Sequence, residues 1–171
     1  MSTSDPHETR FEGVRVRYAS EKSYDELVAA LLVDIGDKPV SLDDIRKASN
    51  SWESYQRQVE PYVGPSGFML FKLFDHGAWI TMAGIDRQVL RVVLGNPLIA
   101  ITMLRHDVSA GLFAPVEVLL VDEGGGARGR SSLTYVRPSS LMVVEHNPAL
   151  LTAAQELDAK LAALAAKVTT S

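Results

Sequence analysis

The sequence predicts an α+β domain, an antiparallel sheet with helices against one of its faces. Three observations carry that prediction. Residues 68–97, FMLFKLFDHGAWITMAGIDRQVLRVVLGNP, hold two apolar runs of strand length, FMLFKLF and VLRVVL, each ending in polar or glycine residues. Residues 13–20, GVRVRYAS, alternate: Val14, Val16 and Tyr18 fall on one face and Arg15 and Arg17 on the other, as in a half-buried antiparallel strand. Near the C-terminus Leu150, Ala154, Leu157, Leu161, Leu164 and Val168 recur at intervals of three and four, one apolar stripe on an Ala-rich helix.

The first strand is followed by Ser23 and Glu26 at capping-box spacing, which opens a helix from Tyr24 to about Ile35. Gly36 suits its end, and Pro39 prevents continuation. Residues 37–67 read as a helical insertion. Ser41 with Asp44 starts a helix through about Lys47, and Ser49 or Asn50 caps another that carries Trp52, Tyr55 and Val59 on one face. Pro61, Gly64, Pro65 and Gly67 then stop regular structure. The insertion is either packing or a lid whose Trp52, Tyr55 and Tyr62 line a pocket.

The run Phe68–Phe74 alternates little, which predicts a middle strand of the sheet, covered on at least one face. Val89–Leu94 is the next strand. Asn96 as N-cap and Pro97 at N1 open a helix to about Arg105 that is apolar nearly all round, suited to burial or an oligomer contact. After a connector from Asp107 to Ala114, Pro115–Asp122 and a return strand ending at Tyr135 form a hairpin about the turn Glu123–Ala127. The glycines of that turn join two strands and precede no helix, so they lack the geometry of a phosphate loop. Pro138–Glu145 is a loop or short helix. Asn147 and Pro148 begin the last helix, residues 149–168, whose stripe is expected to cover the sheet. The order is β-α-β-β-α-β-β-α with a helical insertion after the first helix. It belongs to a single domain over residues 1–171, with 1–12 as a flexible tail.

A chain of 171 residues with 46% hydrophobic residues can bury a core without staples, and it has no cysteine to make disulfides. The net charge of −4 offers no global basic field for nucleic acid or anionic membrane. No apolar run reaches the roughly 18 residues of a membrane span. The polar N-terminus, MSTSDPHETRFEG, does not look like a signal peptide. The expectation is a cytoplasmic protein with no membrane or nucleic-acid partner.

A strand ending in Asp75-His76, then VVLGNP, then APVEVLLVDEGG, then a strand ending in Tyr135 with Pro138 close behind, together resemble the bacterial and archaeal domain-of-unknown-function family 302. The resemblance covers about Val14 to Leu150. Its most specific parts are Asp75-His76 and Gly95-Asn96-Pro97. It implies a fold like that of the TATA-box-binding protein and a homodimer, and it implies no established activity. The chain departs from the family pattern in the long segment from Asp37 to Gly67, in Leu98-Ile99-Ala100 after Gly-Asn-Pro, and in Ala114-Pro115-Val116 before the hairpin.

Asp75-His76 is the one chemically suggestive pair. A histidine beside a carboxylate is suited to acid–base work or ligand binding, although neighbours on a strand point to opposite faces unless the strand has ended. Gly95-Asn96 puts backbone N–H groups at a helix start, which suits an anion as well as plain capping. If these two strand ends lie on the same side of the sheet they converge, and Tyr135 adds a hydroxyl. The candidate ligand-binding residues are therefore Asp75, His76, Gly95, Asn96 and Tyr135, with His76 the best catalytic candidate. No metal-ligand spacing, cofactor fingerprint or nucleophile elbow is present, so neither metal nor cofactor is expected. Three readings follow: a small-molecule-binding domain with its pocket between those strand ends, an isomerase- or hydrolase-type enzyme using His76, or a structural protein that dimerises through sheet edges or the Leu150–Val168 stripe.

Overall fold

The computed structural model of the chain describes residues 5–124 and 129–171. In chain order the elements are β1 (Arg15–Ser20), α1 (Tyr24–Ile35), α2 (Leu42–Lys47), α3 (Trp52–Val59), β2 (Met69–Asp75), α4 (His76–Ile80), β3 (Val89–Gly95), α5 (Pro97–Leu104), β4 (Val116–Gly124), β5 (Arg130–Val136), α6 (Pro138–Met142) and α7 (Pro148–Thr169). The strands form one antiparallel sheet in the order β1-β5-β4-β3-β2. This is the α+β class that the sequence predicts. The expected turn about Glu123–Ala127 lies, in residues 125–128, outside the described residues, but β4 and β5 do pair on either side of it.

The local signals that set the helices are present as hydrogen bonds. Ser23 and Glu26 close a capping box at the start of α1, and Gly36 ends that helix at φ 95°. Ser41 caps α2, while Ser51, rather than Ser49 or Asn50, caps α3. Asn96 and Asn147 cap α5 and α7, each followed by proline at the first helical position.

One face of the sheet is covered. Leu27 and Leu31 of α1 and Leu157, Leu161 and Leu164 of α7 are buried against Val92, Leu94, Val118, Leu120 and Leu133 of the strands. Each such side chain stabilises the fold by about 1.5–3 kcal/mol. The whole stripe from Leu150 to Val168 is buried within the chain, so the C-terminal helix covers the sheet and does not offer a seam to a partner. Among the described residues no helix is long and apolar enough to cross a membrane.

The run after Gly67 is not a middle strand. β2 lies at the sheet edge, and of these two strands β3 alone is interior. Its lack of alternation has another cause. The amide of Val40 donates to the Leu70 carbonyl (2.8 Å) and that of Gly64 to the Phe68 carbonyl (2.9 Å), so residues of the insertion cover this edge. Met69 joins Ile45 and Val59 in a second, smaller apolar cluster. Val40, Ile45, Val59 and Gly64 thus pack against an edge strand.

Asp34 ties this arrangement together. It sits in the last turn of α1 and is 4% exposed. Its carboxylate accepts from the Ser66 amide (3.2 Å), the Ser66 hydroxyl (2.8 Å) and Lys167 Nζ (2.6 Å). Gly64 passes directly over the same turn: a Cβ there would lie 1.8 Å from the Asp34 carbonyl oxygen. Gly64→Ala is therefore expected to destabilise the fold by at least about 2 kcal/mol, because backbone blocks the methyl group. Gly13→Ala, whose Cβ would meet Val136 at 3.4 Å, is expected to be near neutral. Thermal or urea unfolding of the two variants checks this.

Candidate functional site

The sequence-nominated residues fall in three separate places. β2 and β3 run antiparallel, with Asp75 opposite Leu90 and Met69 opposite Gly95. Asp75-His76 and Gly95-Asn96 therefore end at opposite ends of the sheet, about 20 Å apart for strands of this length. The expected convergence does not occur.

At one end, the Asp75 carboxylate caps α4 by accepting from the Ala78 amide (3.0 Å). His76 begins that helix, and its Nδ1 accepts from the Trp79 indole N–H (3.1 Å), the two rings meeting edge to face at 6.0 Å. Asp75 and His76 form no dyad, and each has a local structural partner. Asp75 also acts on Tyr24. Burial first, and the Asp75 charge second, push that phenol up to about 12.

At the other end, Asn96 accepts from the Leu98 amide (2.8 Å) and donates to the Gly67 carbonyl (3.0 Å), so both ends of its side chain are engaged. Gly95 is small for packing: a Cβ would lie 3.1 Å from the Phe71 ring and 3.2 Å from Pro115. Trp52 stacks on Tyr55 (5.6 Å), and both line a shallow groove of about 600 Å³ against Pro97, Ala100, Ile101 and Leu104 of α5. Tyr62 lies outside it, 52% exposed. Tyr135 is buried in the core and stacked on Tyr18 at 6.3 Å, and it also borders the groove on the open face of the sheet. Burial, with Tyr18 adding to it, raises its pKa well above the ordinary phenol value.

A different concavity lies on the sheet face that the helices leave open. It has a volume of about 710 Å³. One row of paired residues crosses this face: Arg17 opposite Thr134, Thr134 opposite Leu119, Leu119 opposite Arg91, and Arg91 opposite Phe74. Leu119 and Val136 contribute to an apolar floor, and Leu112, Phe113 and Leu141 rise at the side where β4 begins and β5 ends. Three arginines, Arg15, Arg17 and Arg91, stand around it.

Their charges are unequally compensated. Arg91 forms a two-point pair with Glu117 and lies over the Phe74 ring (5.2 Å), which Lys72 also approaches (5.0 Å). Arg17 and Arg87 share the single carboxylate of Glu123, at 3.1 and 2.9 Å. Hydrogen bonds from Ser132 first and Arg17 second hold Glu123 below the usual carboxylate range. Among the described residues no carboxylate pairs with Arg15.

Sequence reasoning placed Arg15 and Arg17 on the polar face of the first strand without seeing a site in them. The signal was there in combination: arginines two apart on an alternating strand, and a third inside the apolar run VLRVVL.

The family model described as "Domain of unknown function DUF302" matches residues 45–168, and the chain belongs to that family. The match begins within α2, so it includes most of the insertion and extends to the C-terminal helix, whereas β1 and α1 precede it. The fold is also similar to that of a crystal structure of an uncharacterized conserved DUF302 protein from Bacillus stearothermophilus. The TM-score is 0.62 at 17% identity, over 90% of this chain and 97% of that one. A comparison with curated proteins finds no match.

Two predictions follow from the geometry. Asn96→Ala is expected to cost about 1–2 kcal/mol through loss of a cap and of the bond to Gly67, whereas His76→Ala should stay within about 0.5 kcal/mol; denaturant unfolding separates them. Glu123 is more acidic in the folded chain than its ordinary value of 4.5, so its ionised form stabilises the fold above that pH and this contribution is lost on acidification through the folded value. Glu123→Gln should therefore lower stability at neutral pH and flatten the decline below about pH 4.5, as measured by thermal unfolding across pH.

Proposed function

For this member of a family without an established activity, we propose a cytoplasmic small-molecule-binding role, with the ligand seated in the groove on the open face of the sheet. The observation that carries this reading is the groove itself: about 710 Å³ of concave space in which a mainly apolar floor and wall meet three arginines. Ligand sites are commonly of roughly 300–1,000 Å³, mostly apolar, with a few polar groups to fix orientation. The strands supply a rigid base, and Leu112, 80% exposed at the rim, is apolar surface that a bound molecule would remove from water.

The site needs only one chain, so it does not depend on the homodimer that the resemblance suggests. It also requires no chemistry from His76, which lies outside the lining. Nile red, a neutral apolar dye, tests the reading without presuming charge. Saturable one-to-one fluorescence enhancement is expected. Leu119→Asn, a polar change on the half-buried floor, should weaken it by about tenfold while leaving the thermal transition nearly in place. Absence of saturable binding, or binding that Leu119→Asn does not affect, counts against the groove.

A further inference from the structure

The arginines of the groove also identify the kind of molecule it takes. Arg15 and Arg17 project from the same face of β1, about 7 Å apart as alternate strand residues. Both are well exposed at the edge of the sheet. Arg91, on the far side of Leu119, is neutralised by Glu117. Glu123 is divided between Arg17 and Arg87, which leaves that trio with a surplus positive charge. Arg15 has no acidic partner among the described residues. The uncompensated positive charge is therefore at the β1 end of the groove, although the whole chain carries −4.

The wall at the end of the groove where β4 begins and β5 ends has the reverse character. Leu112, Phe113 and Leu141 present apolar surface beside Leu119 and Val136, and Phe113 is itself braced edge-on by Phe11 at 6.2 Å. A ligand that is polar or charged at both ends would leave this wall in contact with unmatched groups. A neutral apolar one would leave Arg15 without an anion and Arg17 with only the carboxylate it shares with Arg87. Resting on the groove reading above, we propose that the ligand is an amphiphilic anion, with one carboxylate or phosphate head held between Arg15 and Arg17 and an apolar tail laid over Leu119 toward Leu112 and Phe113. Arginine suits this head because its planar fork donates two parallel N–H bonds to an oxyanion.

Displacement of Nile red by a matched C12 series, used below micelle-forming concentrations, tests the assignment. The series is dodecanoate, dodecyl phosphate, dodecanol and dodecyltrimethylammonium. Both anions are expected to displace the dye at concentrations about tenfold lower than dodecanol, with the cation weakest, and added salt should narrow the gap. Arg15→Gln should reduce the anion preference several-fold, and Arg15→Gln with Arg17→Gln should abolish it. Lys160→Gln, which removes a positive charge from the exposed side of α7 on the helical side of the sheet, should leave it. A carboxylate or a phosphate arm that clearly leads names the head group.

If dodecanol matches the anions while Nile red still binds, the anion assignment is wrong and the groove reading stands. If neither dye nor series binds, both are wrong. Sedimentation is the further control. A wild-type dimer that Leu119→Asn or Arg15→Gln dissociates, with no anion binding, would make the face a self-contact and overturn the proposal.

Discussion

A buried carboxylate governs how this fold is assembled. Asp34 lies at the C-terminal end of α1, where the helix dipole opposes negative charge, and it is almost wholly removed from water. Such a group is tolerated only when ion-paired and hydrogen-bonded. Its partners come from two distant parts of the chain, Ser66 at the end of the insertion and Lys167 near the end of α7. Satisfying one side chain thus fixes where the insertion returns to the sheet and where the last helix stops. Ser20 and Lys22 add to the same closure by donating to carbonyls of Thr169 and Val168. The result is a helical layer held at its end by polar contacts and along its length by leucines.

With that layer on one side, the other side of the sheet has to be compatible with water. The open face accordingly carries arginine, lysine, glutamate and threonine among its valines and leucines, as one-sided antiparallel sheets do. What distinguishes it is how the charges are distributed. Glu117 neutralises Arg91 and Glu123 is shared by Arg17 and Arg87, so among the arginines of the groove the surplus positive charge lies at the β1 end, while Lys72 lies over Phe74 on the β2 side. Net charge averages such a distribution away, because the acids that make the chain negative are spread over helices and loops elsewhere.

Much of the fold was legible in the residues because the signals are local. Ser23 with Glu26, Asn96 with Pro97, and Asn147 with Pro148 each announce a helix start within four residues, and the stripe from Leu150 to Val168 announces both a helix and its buried side. Strand neighbours were not legible in the same way. An apolar run reports burial without saying what does the burying, and in β2 the cover is Val40, Ile45 and Val59 rather than another strand. The candidate site failed for a related reason. Asp75-His76 and Gly95-Asn96 each terminate a strand, but whether two strand ends meet depends on the relative direction of the strands, and the antiparallel β2–β3 pair separates them. Arg15 and Arg17 looked like ordinary solvent-facing residues. Their meaning depends on Leu119 and Arg91 lying in the same row and on acids that pair elsewhere, which only the register reveals.

The place of β1 has a consequence for how the molecule comes into being. β2, β3, β4 and β5 follow one another as a meander, whereas β1 is followed by a helix under the sheet and forms the far edge beside the last strand. Val14 and Ser140, which bond across that seam, are 126 residues apart in sequence. Contacts of such separation carry the largest loop-closure entropy and reward the chain only once its intervening parts are placed. On loop-closure entropy alone, pairing within the meander costs less than docking β1. Arg15 and Arg17 come with it, so their place on the sheet is fixed by the strand pairing of longest sequence separation among the described residues.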